Sequence, residues 1–470
     1  MSVLLVNTNV MQPPIAPVGL DYIGAALQAA GYRVDLLDLC FEADAMGAVD
    51  RALAGREYRL VGLTLRNTDD CYYPGRGWFV PSLRPLVARL RAGTDARIVL
   101  GGVGFSTMPE AVLELTGADL GVRGEGEFPL LRLAAGDREV PGLVRRTPEG
   151  FRSRPPEPGD LSALPPMPRD LADNERYHRE GGQIGFETKR GCNAACVYCA
   201  DPVAKGRQVR LRPPEAVADE LAGLASRGIA YLHTCDAEFN RPPEHALAVC
   251  EALIARGLGE RLRWYAYCSP VPFDAELAGA MRRAGCVGVN FGADSADDGM
   301  LRRLGRDHCA ADVRAAVEAC RRHGLVTMLD LLLGGPGETG ESVRRSLAVV
   351  REIAPDRAGL SVGVRVYPGT ALSRAILRGD AGGPGALRGP GAADGGFAAP
   401  TFYLSPALGE GIFPLVGEVV GGDRRFFFSD PTAADRNYNY SGNDVLVDAI
   451  ARGYRGAYWD ILRRLQEGAG

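Results

Sequence analysis

The chain has 470 residues, a formal net charge of -4, 46% hydrophobic residues and 24% charged residues. This length predicts two or three domains, and the balanced composition excludes the disordered and fibrous classes. No basic cluster could neutralise a run of phosphates, so we expect no nucleic-acid partner. No segment reaches 18 uninterrupted apolar residues and the N-terminus lacks a charged secretory start, which predicts a cytoplasmic protein that does not enter membranes.

The first 150 residues alternate short apolar runs with amphipathic helical stretches. Strands alternating with helices in this way indicate a doubly wound parallel sheet of the Rossmann-like type. Ligands on such sheets lie beyond the carboxyl ends of the strands, so the loops that follow the strands should share one ligand-binding face. The predicted strands are 2–7, 33–38, 60–65, 97–102 and 120–124.

The rest of the chain divides by composition. A stretch rich in proline and charge predicts a linker, and a second alternation with six strands follows it. Six βα units are too few for an eight-fold barrel and predict a partial (β/α)6 TIM-like barrel. A glycine-rich hinge and a small α-rich region end the chain. The predicted domains are therefore 1–150, the linker 151–181, the barrel 182–378 and the C-terminal extension 379–470.

Three cysteines at CxxxCxxC spacing follow the first strand of the barrel, and they are Cys192, Cys196 and Cys199. They should therefore lie at the end of the barrel where such enzymes keep their catalytic residues. Structural zinc needs four protein ligands, and a zinc interpretation would have to recruit His233 or Cys235. Three thiolates on a four-iron cluster leave one iron open to a small molecule, and we favour this interpretation.

The segment CNAACVYC resembles the CxxxCxΦC motif of the radical S-adenosylmethionine (radical SAM) superfamily. The resemblance implies a [4Fe–4S] cluster that binds S-adenosylmethionine (SAM) through its open iron. Four later segments, HTCDAEFN, NFGADS, LLLGGPGET and RVYPGT, are similar to the strand ends that contact SAM in that family. The SAM-binding residues that the resemblance implies are Tyr198, Asp236, Glu238, Asp294, Ser295, Gly335 and Arg365.

Each of these later motifs also has a structural interpretation. Asp236 and Glu238 could belong to a solvated loop, and GGPGET could be a strand-to-helix turn in which Thr339 caps the next helix. Arg365 lies in an apolar strand and must find a carboxylate there. His233 fits a barrel histidine with satisfied hydrogen bonds better than a metal ligand.

The order of a doubly wound domain and a radical SAM core resembles the cobalamin-binding radical SAM subfamily. PVGLDYIGAALQAAGYRVDLLD, IVLGGVGFSTMPE and GVRGEGE are similar to its cobalamin domain, but nothing matches DxHxxG, so no histidine is expected to ligate cobalt from below. A doubly wound domain that binds no cobalamin is the alternative. The resemblance implies Arg66 and Asn67 near the lower face of the cobalt, a glycine loop along the nucleotide tail, and Glu125 near the corrin amides. The glycines of that loop are Gly101, Gly102 and Gly104.

In the family, cleavage of SAM gives a 5′-deoxyadenosyl radical that abstracts hydrogen from an unactivated carbon, and cobalamin supplies a methyl group. The resemblance therefore implies a methyltransferase for a small natural-product precursor, served by an electron donor such as flavodoxin or ferredoxin. One alternative is a radical SAM oxidative cyclase or ring-contracting enzyme without methyl transfer, and another is a non-catalytic sensor. Aromatic residues of the tail either close the substrate cavity or only pack, and they are Tyr438, Tyr440 and Trp459.

Overall fold

A computed structural model describes residues 2–73, 75, 77–393, 395–429 and 441–468. Its N-terminal sheet has seven strands in the order β2-β1-β3-β4-β5-β6-β7, and the first five are parallel. These strands are β1 (Ser2–Asn7), β2 (Arg33–Asp38), β3 (Leu60–Thr64), β4 (Arg97–Gly101), β5 (Leu120–Val122), β6 (Leu143–Thr147) and β7 (Gly150–Ser153). The helices are α1 (Val18–Ala29), α2 (Ala45–Leu53), α3 (Leu83–Gly93), α4 (Val103–Thr107), α5 (Pro109–Thr116) and α6 (Glu127–Ala135).

Helices cover both faces of this sheet because alternate strand residues enter two separate cores. Leu4 and Val6 belong to one hydrophobic cluster, whereas Val3 and Leu5 belong to another on the opposite face. The doubly wound fold is therefore confirmed. The antiparallel hairpin of β6 and β7 extends the sheet and runs into the predicted linker.

The second sheet also has seven strands, in the order β19-β15-β14-β13-β12-β11-β8, all parallel. Its strands are β8 (Ile184–Phe186), β11 (Tyr231–Thr234), β12 (Arg263–Cys268), β13 (Cys286–Asp294), β14 (Val326–Leu333), β15 (Arg357–Val362) and β19 (Phe426–Phe428). Five short strands lie outside it, and they are β9 (Lys189–Arg190), β10 (Arg210–Leu211), β16 (Val364–Arg365), β17 (Leu387–Arg388) and β18 (Phe402–Tyr403). The six predicted barrel strands are all present, which confirms the partial barrel, and β19 from the C-terminal region adds a seventh.

Helices surround the second sheet and continue to the C-terminus. They are α7 (Asn174–Gly181), α8 (Asp201–Lys205), α9 (Pro214–Ser226), α10 (Pro243–Ala255), α11 (Ala275–Arg283), α12 (Asp298–Leu304), α13 (Ala310–Arg322), α14 (Gly340–Ile353), α15 (Ala371–Arg378), α16 (Ile412–Val420), α17 (Asp444–Ala451) and α18 (Tyr458–Gly468). None of the described helices is long and apolar enough to cross a lipid bilayer.

Trp459 of α18 closes the amino-terminal end of the barrel. Its indole packs with Tyr265, Met328 and Phe427 in one buried cluster, and its ring centroid lies 5.7 Å from that of Tyr265. Trp459 therefore has a packing role at the floor of the barrel. Tyr438 and Tyr440 lie outside the described residues.

Candidate functional site: a cysteine loop at the mouth of the barrel

The three predicted cysteines lie on a loop that follows β9 at the carboxyl end of the barrel. Gly191 begins the loop with φ +86°, and a Cβ there would stand 2.1 Å from the carbonyl oxygen of Gln208. Only glycine fits such a position. The amide of Cys192 then donates to the carbonyl oxygen of Gly206 at 3.1 Å. The backbone thus fixes where the first cysteine side chain starts.

All three thiols are half-buried, and burial raises the pKa of each. The Asp201 carboxylate raises the pKa of Cys199 further, and the neighbouring Cys196 and Cys192 add to the effect. Such thiols stay protonated until metal binding displaces the proton. In the described part of the chain, no three His, Cys, Asp or Glu side chains are grouped to hold a single metal ion. Three thiols as the donor set fit an iron–sulfur cluster.

Arg306, in the loop after α12, connects three of the predicted site residues. Its Nη1 donates to the Cys196 sulfur at 2.9 Å, its Nε lies 3.3 Å from Asp294 Oδ2, and its Nη2 lies 3.4 Å from Glu238 Oε1. The Tyr198 hydroxyl donates to the same Asp294 carboxylate. The structure therefore brings Tyr198, Glu238 and Asp294 together beside the cysteines, and their contacts with SAM stay a prediction.

Arg306 was not predicted from the sequence. The segment LGRDH matches none of the motifs described above, and the chain has many other arginines. Burial lowers the pKa of this guanidinium, but Asp294, Tyr198, Cys196 and Glu238 together outweigh that effect and the pKa is raised. The cation is therefore permanent, and it can donate to a cluster sulfur or to an anionic ligand.

Asp236 serves the local fold at the mouth of the barrel. Its buried carboxylate accepts from the Thr188 amide at 2.9 Å and from the Thr188 hydroxyl at 2.6 Å. The Lys189 amide also donates to it, at 3.3 Å. These bonds hold the segment before the cysteines against the loop after β11, so Asp236 is not a solvated residue. Its predicted contact with SAM remains a prediction.

Arg365 and Ser295 lie in different surroundings from the cysteine loop. Both Nε and Nη2 of Arg365 reach Asp69 Oδ2, at 3.0 and 2.8 Å, and Asp69 belongs to the loop after β3. The carboxylate that this strand arginine needs thus comes from the N-terminal domain. Ser295 is buried, with its hydroxyl 3.3 Å from that of Ser346 on α14. For both residues SAM binding remains a prediction.

The segment GGPGET forms a strand-to-helix turn between β14 and α14. The Glu338 carboxylate accepts from the amide of Gly335 at 3.1 Å and from that of Gly334. Thr339 caps α14 by accepting from the Ser342 amide at 3.3 Å. These bonds give the motif a structural role, and the placement of Gly335 near SAM stays a prediction.

The buried Glu338 carboxyl predicts a pH dependence of stability. Burial raises its pKa from the ordinary value of 4.5 to about 7. Between these values the folded chain binds more protons than the unfolded chain, so the free energy of unfolding should fall as pH rises from about 4.5 to about 7. Denaturant titrations across this pH range should show that the free energy of unfolding falls less steeply with pH in Glu338→Gln than in the wild type. Glu341→Gln, at an exposed position of α14, should keep the wild-type slope.

On the N-terminal side, Arg66 and Asn67 follow β3 at the ligand-binding edge. Arg66 Nη1 lies 4.0 Å from the Met11 sulfur, and in the amide orientation that satisfies both groups the Asn67 oxygen accepts from Arg66 Nη1 at 3.2 Å. The two residues therefore lie together where cobalamin is predicted to bind. Their approach to cobalt stays a prediction.

The glycines after β4 let two loops of this edge touch. Gly102 has φ +96°, and a Cβ there would stand 2.5 Å from the Leu65 carbonyl oxygen. A Cβ on Gly104 would lie 2.9 Å from the Asn67 carbonyl carbon, whereas Gly101 has no atom closer than 3.8 Å. Gly102 and Gly104 are therefore required by the approach of the β3 loop. A path for the nucleotide tail along this loop stays a prediction.

Glu125 lies at the junction of the two sheets. Its Oε1 pairs with Arg210 Nη1 at 2.5 Å, and its Oε2 accepts from the Gly159 amide at 3.2 Å. The neighbouring Glu127 pairs with Arg190 Nη2 at 2.7 Å. This loop thus binds the N-terminal domain to the segment that carries the cysteines. A contact of Glu125 with corrin amides remains a prediction.

Exposed apolar side chains mark the cleft between the two sheets. Val10 after β1 is 62% exposed and Val103 after β4 is 42% exposed, although both lie at the ligand-binding edge. Cys71 and Cys235 are exposed as well, yet burial raises their pKa, to about 12 in each case. A side chain that solvent reaches although protein atoms surround it closely lies in a deep cleft. An apolar, glycine-edged cleft at this place fits a large planar cofactor.

Comparison with known families supports both halves of this site. Residues 186–350 match the family model described as the radical SAM superfamily, and residues 4–134 match that of the B12 binding domain. A tryptophan 2-C-methyltransferase of Streptomyces laurentii is 31% identical, over 97% of this chain and 95% of the relative. An uncharacterized methyltransferase of Pyrococcus horikoshii is 28% identical, over 76% and 77% of the two chains.

Solved structures give the same result. The radical SAM methyltransferase TsrM of Kitasatospora setae, with tryptophan substrate and the SAM analogue aza-SAM bound, superposes with a TM-score of 0.90 and 32% identity. That match covers 100% of this chain and 99% of TsrM. A TsrM structure with cobalamin and a [4Fe-4S] cluster bound gives a TM-score of 0.88 and 31% identity over the same shares.

Proposed function

Because the chain belongs to the radical SAM superfamily and carries a B12 binding domain, we propose that it methylates an indole carbon of tryptophan or of a close tryptophan derivative. It is a cobalamin-dependent radical SAM methyltransferase with a small-molecule substrate. Its cofactors are a [4Fe-4S] cluster, SAM and cobalamin. The choice of tryptophan is supported by the 31% identical relative that carries this name and by the tryptophan bound to TsrM.

When bound, the cluster and SAM supply one-electron and sulfonium chemistry, and cobalamin carries a methyl group. The chain's own residues hold and orient these groups. Cys192, Cys196 and Cys199 supply the thiols, and Arg306 donates to one of them at 2.9 Å. Cobalamin would be held at the carboxyl edge of the N-terminal sheet, by the loops that carry Arg66, Asn67 and Gly102. Trp459 packs with the other apolar side chains at the opposite end of the barrel.

The observation that carries the proposal is an aromatic space inside the barrel. Tyr267 lies on β12, in the middle of the sheet, yet its side chain is 44% exposed, so open space remains inside the barrel. The rings of Tyr267 and His233 are 4.6 Å apart at 48° and form one wall of that space. Aromatic walls of this kind hold a planar indole by stacking and edge contacts.

His233 is a neutral hydrogen-bonding group in this wall. Burial lowers its pKa to about 4, and its Nδ1 lies 2.9 Å from the Thr234 carbonyl oxygen, which requires a proton on Nδ1. The other ring nitrogen is then an acceptor. An indole N–H is a matching donor, which favours an indole over a purely hydrocarbon substrate.

The proposal is tested with SAM carrying a deuterated methyl group and with unlabelled tryptophan. We expect tryptophan to gain one trideuterated methyl group on an indole carbon, detected by mass spectrometry and located by NMR. The same assay with phenylalanine should give no methylated product. Labelled SAM consumed without any methylated indole would contradict the proposal.

Four finer assignments belong to this proposal. We place the enzyme in the cytoplasm and assign its electrons to a flavodoxin or ferredoxin, in keeping with the needs of an iron–sulfur cluster. We retain the divisions 1–150, 151–181, 182–378 and 379–470 as functional domains. Formation of the 5′-deoxyadenosyl radical also stays a prediction, and release of 5′-deoxyadenosine during turnover is the measurement that checks it.

A further inference from the structure

Alternate residues of the barrel strands point into the barrel, because residues two apart on a strand point to the same side. On β14, Met328 belongs to the floor cluster with Trp459, and Leu332 packs against the same cluster as Tyr198 of the cysteine loop. Asp330 lies between them and therefore also points into the barrel.

The same alternation points Asn290 on β13 into the barrel, where it is in register with Met328 on β14 and with Tyr267 on β12. A Cβ on Gly288 would touch the rings of Trp459 and Tyr265 at the floor, at 3.0 Å each. The carbonyl oxygen of Gly292 accepts from Arg306 at the mouth, at 2.6 Å. Asn290, midway between these glycines, faces the lumen beside Asp330. Its Nδ2 donates to Asp330 Oδ2 at 2.8 Å.

Asn290 carries an unsatisfied acceptor. Only 2% of the residue is exposed, and its Oδ1 has no hydrogen-bond partner among the described residues. The orientation of the amide is fixed, because its nitrogen donates to the carboxylate. A buried acceptor without a donor costs roughly 1–3 kcal/mol, so an unpaired one inside a binding space indicates a ligand donor.

The inside of the barrel thus combines two kinds of surface. His233 and Tyr267 present aromatic faces, and Asp330 and Asn290 present a negative charge and a neutral oxygen. An ammonium group has three donors and no acceptor, which matches adjacent carboxylate and amide oxygens. An amino acid with an indole side chain offers one group for each surface.

We propose that Asp330 and Asn290 bind the α-ammonium group of the substrate while the wall formed by His233 and Tyr267 holds its ring. The site then selects aromatic substrates that carry a primary amine. This inference rests on the proposed function, because it takes an indole amino acid as the substrate. It adds the residues that distinguish this substrate from an indole lacking the amine.

The test compares three ligands by calorimetry on the cofactor-loaded enzyme: tryptophan, tryptamine and indole-3-propionate, which lacks the amine. Asp330→Asn keeps the shape of the side chain and removes its charge. We expect it to raise the dissociation constants of tryptophan and tryptamine roughly 10- to 100-fold and to leave that of indole-3-propionate within about twofold. The control Asp448→Asn, at an exposed position of α17, should change none of them.

Equal weakening of all three ligands, or unchanged tryptophan binding, would overturn the inference. If Asp330→Asn does not fold, the wild-type enzyme still tests the inference. Binding of indole-3-propionate to the wild type as tightly as tryptophan also overturns the inference. Tryptophan that binds with this selectivity but is not methylated contradicts only the proposed function. Tryptophan that is methylated without amine selectivity contradicts only the inference.

Discussion

Replacing Cys199 with alanine is expected to abolish methyl transfer, with activity at least about 100-fold below that of the wild type. The variant lacks one of the three thiols that hold the cluster, so the remaining cysteines cannot retain four irons stably. Iron content and the iron–sulfur absorbance of the reconstituted protein should fall together with the yield of methylated indole. The B12 binding domain does not contain this thiol, and corrin absorbance should therefore remain.

The matched control is Cys309→Ser. Cys309 occupies the N-cap position of α13, where serine is a preferred residue, and it lies outside the cysteine loop. The iron content and activity of the Cys309→Ser variant should equal those of the wild type. Full activity of Cys199→Ala, or equal losses in the two variants, would contradict the assignment of the cluster to Cys192, Cys196 and Cys199.

The second large effect is expected from Arg169→Met. Arg169 is completely buried between the two sheets, with its Nε 2.8 Å from Asp21 Oδ2 on α1 and its Nη1 2.8 Å from Glu220 Oε1 on α9. Arg212 completes the cluster with its Nη1 2.8 Å from Glu220 Oε2. Removing Arg169 leaves the buried Asp21 carboxylate without its arginine and leaves Glu220 with Arg212 alone, which costs roughly 3–5 kcal/mol.

Chemical denaturation followed by circular dichroism measures this loss. A chain of several domains need not unfold in one step, so the first transition is the relevant one. Arg378→Met removes an arginine from an exposed ion pair, with Asp380 at 2.7 Å, and should leave the curve unchanged because surface pairs contribute little. An Arg169→Met protein as stable as this control would show that the buried cluster does not hold the domains together.

The fold class could be predicted because parallel strands buried on both faces form continuous apolar runs. Val3 to Val6 on β1 and Ile98 to Leu100 on β4 show this pattern. Several strands gave no such signal, among them β7 and β19. β7 is mostly exposed and follows the polar composition of the linker, and β19 has only three residues, too few to show a period.

The site could be predicted only where neighbours in the sequence act together. The cysteines stand within one loop, and their spacing alone indicated the cluster. Arg306 lies far along the chain from Cys196, and Asp69 lies far from Arg365, so only the fold brings these pairs together. Asp330 broke an apolar strand, but the sequence did not show that its carboxylate faces Asn290 inside the barrel.

The most direct test of the account is the absorbance spectrum and metal content of the anaerobically reconstituted wild-type protein. The account predicts iron–sulfur charge-transfer absorption together with corrin bands, and about four irons and one cobalt for each chain. Bound zinc without iron, or an iron–sulfur spectrum that never gains corrin bands when cobalamin is supplied, would contradict it.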